Sequence, residues 1–160
     1  MKTEPHIEHA WLQQLVGEWA YESECVVEPG KPPEKFNGSE SVRPLGECWV
    51  LCEGQGEMPD GDSATMLMTL GYDSVQQRFV GTWVGSMMSH LWMYDGALDA
   101  QENVLTLNTE GACCASDGKF VKQRDVIELN SADQRVQTSY LLNGNGEWLP
   151  FMTTHYQRIK

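Results

Sequence analysis

The stretch Leu15-Val16-Gly17-Glu18-Trp19-Ala20-Tyr21-Glu22-Ser23-Glu24-Cys25-Val26-Val27 decides the fold. Before Gly17 the apolar residues follow a helical spacing, with Ile7, Trp11 and Leu15 recurring every fourth residue beside Leu12 and Val16. After Gly17 the period drops to two. Trp19, Tyr21, Ser23, Cys25 and Val27 fall on one face, and Glu18, Ala20, Glu22 and Glu24 on the other. That alternation marks a strand with one buried side. The upstream pattern predicts one short helix over 5–16, with Thr3 as its cap, Pro5 in its first turn and Gly17 just past its end.

The period of two then repeats to the end of the chain, broken by clusters of turn residues. Pro29 to Pro33, Asp60-Gly61-Asp62, Asp73 to Gln77, Asp95-Gly96, Asp99 to Asn103, Ser116-Asp117-Gly118, Asn130 to Gln134 and Asn143 to Gly146 are such turn signals. About ten strand-like runs lie between them: 17–27, 37–45, 48–57, 63–72, 78–85, 90–98, 103–110, 119–129, 135–142 and 147–158. The connections are of hairpin length, which leaves no long crossover for a Greek-key sandwich. The expectation is an all-β fold, an up-and-down antiparallel barrel with a short N-terminal helix, forming one domain over residues 1–160. In a closed barrel the first and last strands are neighbours, so Arg158 is expected to stack on the Trp19 indole. That pairing resembles the Gly-X-Trp signature and terminal arginine of lipocalins.

With 160 residues the chain can bury a core without staples. Its 41% hydrophobic and 21% charged residues are those of a globular protein. The formal net charge of -12 repels phosphate backbones, which argues against nucleic acid and anionic membranes as partners. No apolar run approaches the roughly 18 residues of a membrane span. The first fifteen residues lack the basic start and uninterrupted apolar core of a signal peptide, which predicts a soluble, cytoplasmic protein. An odd count of five cysteines, two of them adjacent at Cys113-Cys114, fits a reducing compartment better than a disulfide framework.

Several blocks, in this order, resemble the bacterial family labelled domain of unknown function 1579. They are Leu15 to Trp19, Arg43-Pro44-Leu45-Gly46, Gly71-Tyr72-Asp73, Phe79 to Trp83 with Ser86-Met87, Gly96 to Asp99, and Tyr156-Gln157-Arg158. The resemblance covers nearly the whole chain. It implies a lipocalin-like barrel of bacterial origin and no established activity. Many members carry an Asp before the Ser-Met pair; here Gly85 stands in that place. No role of that acid carries over.

The richest segment for a site is Ser63 to Tyr94. Met66, Met68, Leu70 and Tyr72 share one face of the fourth run, and His90, Trp92 and Tyr94 one face of the sixth, with Trp83 between them. Leu67, Leu91 and Met93 make the opposite faces apolar as well. Either the inner face lines a cavity for an irregular apolar ligand, or the interior is a filled core. The outer face is expected to be covered by the helix or by a second subunit in a homodimer. The candidate ligand-binding set is Trp83, His90, Trp92 and Tyr72, with Met66, Met68 and Tyr156. Arg43 and Arg124 are candidate anchors for a ligand carboxylate.

Haem is a further alternative, with His90 or His155 as its axial ligand, although the alternation puts His155 on the outer face. His6 and His9 lie one helical turn apart without a third metal ligand and read as an exposed helix face. No catalytic constellation emerges. Gly85-Ser86-Met87 is not a nucleophile elbow, and Cys113 and Cys114 have no basic neighbour. An enzyme in the same interior would need an inward acid beside His90, and none is evident in the sequence.

Overall fold

The computed structural model describes residues 2–28, 30–58 and 60–160. Ten strands form one closed antiparallel barrel: β1 (Gly17–Cys25), β2 (Glu34–Leu45), β3 (Trp49–Glu57), β4 (Ser63–Asp73), β5 (Arg78–Gly85), β6 (Trp92–Asp99), β7 (Val104–Ala112), β8 (Phe120–Ser131), β9 (Gln134–Leu142) and β10 (Trp148–Arg158). Every strand pairs with its sequence neighbours, and β1 closes on β10 with Trp19 opposite Arg158. This is the up-and-down, lipocalin-like barrel that the alternation from Gly17 predicts.

The strand limits differ from the sequence reading in a few places, each for a local reason. β2 starts at Glu34 because β1 and β2 stay paired as far as Cys25 opposite Glu34. Within the expected loop from Pro29 to Pro33, Pro29 lies outside the described residues. β6 starts at Trp92, so His90 precedes the strand instead of belonging to it. Pro150 sits where the β9–β10 register shifts, a place that tolerates a missing backbone donor.

The helix α1 is shorter than expected, Ile7–Gln13. His6, not Thr3, occupies its cap position. The cap depends on His9, whose Nδ1 accepts the His6 backbone N–H at 2.7 Å. His9 Nε2 donates to the Tyr72 carbonyl at 2.9 Å. His9 is therefore buried and bonded at both ring nitrogens, which corrects the expectation of an exposed His6/His9 face. The helix lies across the end of the barrel where Trp11, Leu12 and Leu15 meet a solid layer of Val50, Leu70, Phe79, Leu105, Leu107 and Ile127. No helix among the described residues is long and apolar enough to cross a membrane.

Gly17 joins helix to barrel with φ +143, a backbone setting that favours glycine. A Cβ there would also strike the Arg158 guanidinium. That guanidinium lies 4.2 Å over the Trp19 ring. Its Nη1 and Nη2 donate to the Val16 and Gln14 carbonyls at 2.6 and 2.8 Å. The Trp19 indole N–H donates to the Leu15 carbonyl at 2.9 Å. The expected stack thus exists, and it also ties the orphan carbonyls at the helix end to the closing strand.

Candidate functional site

The two ends of the barrel are built differently. The four connections at the helix end, 46–48, 74–77, 100–103 and 132–133, are short, whereas those at the other end, 26–33, 58–62, 86–91, 113–119 and 143–147, are longer. Between the longer loops the interior opens into a cavity of about 1140 Å³. Its walls carry Met66 and Met68 from β4, Trp83 from β5, Trp92 and Tyr94 from β6, and Met152 and Tyr156 from β10. Strand parity puts these side chains inside, and the longer loops contribute Met58, Met87, Met88 and Cys113 to the rim. The filled-core alternative therefore holds for the helix half alone.

The cavity brings together five of the nine sequence candidates: Met66, Met68, Trp83, Trp92 and Tyr156. Tyr72 shares the inward face of β4 but lies at the opposite, helix end of the barrel; its half-buried ring packs against His9 of α1 and Phe79. His90 precedes β6 and is not part of the cavity lining; it is bonded through Nε2 to the Glu110 carbonyl at 2.9 Å and lies edge-on to Trp92 and Phe120. Gly111 makes room for that arrangement, because a Cβ there would meet both the Trp92 ring and His90. Arg43 is on the outer face, paired with Glu53 at 3.3 Å. Arg124 is also outside, stacked 4.0 Å over Trp148 and bonded to Asn108. Neither arginine can anchor a carboxylate in the interior. His155 pairs with Glu22 on the outer face, so neither imidazole proposed for haem reaches the cavity.

The cavity floor holds polar groups that the sequence reading missed. Asp125 on β8 accepts the Tyr94 hydroxyl at 2.5 Å and the Ser139 hydroxyl at 2.6 Å. Burial pushes the Asp125 carboxyl above its usual range, and the hydrogen bonds from Ser139 and Tyr94 only partly oppose that. Tyr94 is raised well above its usual value, first by burial and then by the neighbouring Asp125 charge.

Deeper in the barrel, Glu40 on β2 forms a buried ion pair with Arg135 on β9. The Arg135 guanidinium lies 3.7 Å over Tyr156 and 4.7 Å over Trp19. Burial alone would lower the Arg135 pKa. The Glu40 carboxylate more than offsets this, so the Arg135 pKa lies above its usual value. Its Nε has no hydrogen-bond partner among the described residues. At the rim, burial pushes the Cys25 thiol up to about 11, with Cys113, Cys114 and Glu34 adding smaller contributions. All five cysteines are free thiols.

The sequence matches, over residues 4–158, the family described as "Protein of unknown function (DUF1579)". The chain belongs to that family. No curated protein matches it. Among solved structures it is similar to Rv2717c from M. tuberculosis, with a TM-score of 0.65 at 11% identity over 98% of this chain and 100% of that one. It is also similar to the S-type phycobiliprotein lyase CPES from Guillardia theta, with a TM-score of 0.58 at 12% identity over 98% and 99%. A third similar structure, EF1p2_mFAP2b bound to DFHBI, has a TM-score of 0.50 at 12% identity over 94% and 98%. At these identities the likeness is one of fold.

Proposed function

We propose that this DUF1579 barrel binds a small, largely apolar molecule in the open half of its interior. The observation that carries the reading is the cavity itself: about 1140 Å³, walled by thioethers, indoles and phenol rings. Apolar walls with a few polar groups at the floor are the usual composition of a ligand pocket. Methionines adapt to an irregular ligand at low cost in strain. That a barrel of similar fold is bound to DFHBI supports a small-molecule occupant. The contacts fall to Trp83, Trp92, Met66, Met68 and Tyr156. The free thiols fit action in a reducing compartment such as the cytoplasm.

The test is a titration with 1-pyrenemethanol, a neutral apolar probe, read by energy transfer from tryptophan to pyrene. We expect saturation at one probe per chain, and weaker binding in Met66→Trp, which fills part of the wall. Absence of saturable transfer removes the reading.

A second reading rests on the outer face. Leu67, Val84, Leu91 and Met93 are exposed there, Met93 at 67%, and Leu67 pairs directly with Val84. The helix covers the barrel end instead of this face, which leaves the homodimer as the expected cover. The mass in solution, compared between the native protein and Met93→Asp, tests it; a native monomer at all concentrations eliminates it.

A further inference from the structure

The ligand class follows from the charges that face the cavity. Among the described residues its lining holds six carboxylates, Glu34, Glu40, Glu57, Asp60, Asp62 and Asp125, and no lysine, arginine or histidine. Glu40 is neutralised by Arg135 from the floor side. Of the lysines near the mouth, Lys31 pairs with Glu28 at 2.9 Å and Lys35 with Glu24 at 3.4 Å, and exposed Lys119 in the 113–119 loop is not part of the lining. Asp125 differs from the rim acids. It is enclosed, its two oxygens are held by the hydroxyls of Tyr94 and Ser139, and it has no cationic partner among the described residues. A buried carboxylate held only by neutral donors is costly, and a cation beside it offsets that cost.

A second polar atom is also without a partner. Thr109 Oγ1 on β7 is buried, lines the cavity and makes no hydrogen bond among the described residues. Tyr94 and Trp92 present ring surface from β6 on the same inward face, and Trp83 stands opposite Trp92. Carboxylate, hydroxyl acceptor and aromatic faces together recognise an ammonium or amidinium group attached to an apolar body. The rim acids add a field that draws cations to the mouth and turns anions away.

Resting on the cavity reading above, we infer that the natural ligand is an amphiphilic cation, an aromatic or aliphatic amine whose N–H groups donate to Asp125 with its apolar part among the methionines and indoles. An anionic ligand, such as a fatty acid, has no counter-charge among the described lining residues.

The experiment compares three probes of one shape, 1-pyrenemethylammonium, 1-pyrenemethanol and 1-pyrenecarboxylate, against the full chain and against Asp125→Asn. The expected order is cation, alcohol, carboxylate. The cation should bind at least about tenfold tighter than the alcohol, a difference of about 1.4 kcal/mol. In Asp125→Asn that ratio should fall below about threefold. Raised salt should leave most of the native preference in place, since an enclosed pair is screened less than rim charges.

Alcohol and cation binding alike, or carboxylate binding tightest, overturns the cation inference and leaves the cavity reading standing. A preference that survives in Asp125→Asn, or that disappears in salt in the native chain, overturns the assignment to Asp125. Saturable binding of none of the three removes the cavity reading and this inference with it. The native-chain comparison decides the ligand charge even if Asp125→Asn fails to fold.

Discussion

Met66 and Leu70 lie on the same strand, on the same face, four residues apart. Leu70 is wholly buried in the layer beneath α1, while Met66 looks into the cavity. The strand and its side-chain period are the same at both places, so secondary structure does not distinguish them. What differs is what covers the end of the barrel. At one end α1 supplies Trp11, Leu12 and Leu15 as a plug, and the connections are short. At the other end longer loops rim the cavity. One half carries the stability, and the other is free to vary toward a ligand.

This contrast is broken most severely at Trp19. The indole is fully buried, bonds to Leu15 and carries two guanidiniums, so Trp19→Ala should cost about 3–5 kcal/mol in urea unfolding. Next comes the ion pair at the boundary of the two halves. Glu40→Gln leaves Arg135 charged and buried, at a cost of about 3–5 kcal/mol. Adding Arg135→Met to it should recover most of that loss, because the pair as a whole contributes little net stability. A double variant as unstable as Glu40→Gln alone would show that Arg135 matters for its stacking rather than its charge.

Arg158→Lys keeps the charge but loses the planar fork over Trp19 and its paired bonds to Val16 and Gln14. A loss of about 1–3 kcal/mol is expected, measured by thermal and urea unfolding. The smallest effect belongs to the open half. The Asp125 pKa is raised in the folded state, so the unfolded chain ionises first as pH rises above about 4. Stability from this group is therefore lost as pH climbs from there through the raised folded value, and stays lost above it. Asp125→Asn should be more stable relative to the native chain at pH 7 than at pH 3.5. The opposite trend would show that the Tyr94 and Ser139 bonds outweigh burial.

The fold was legible because most strands repeat one signal, the alternation that starts at Trp19, with clusters of turn residues between them. The stack of Arg158 on Trp19 was legible because closure makes the first and last strands neighbours. The site was legible only in part, since parity gives facing and says nothing of depth. Met66 and Tyr72 share a face, yet one lines the cavity and the other packs against α1 at the helix end. His90 was misplaced because the β6 ladder begins two residues later. Arg43 and Arg124 were out of phase with Val42 and Ile127, a signal that already put them outside. The same phase argument would have found Glu40 beside Val42 and Asp125 beside Ile127 as inward acids. Their partners, Arg135 and Tyr94, lie on strands distant in sequence, and only the closed barrel brings them together.

The central claim is that one half of the barrel is packed and the other is open to a ligand. Urea unfolding of Leu70→Ala and Met66→Ala, side by side, measures it most directly. The account predicts a loss of about 2–5 kcal/mol for Leu70→Ala, where a void opens in a full layer, and under about 1 kcal/mol for Met66→Ala, where the side chain already faces empty space. Equal, large losses at both positions would contradict it, because Met66 would then be core.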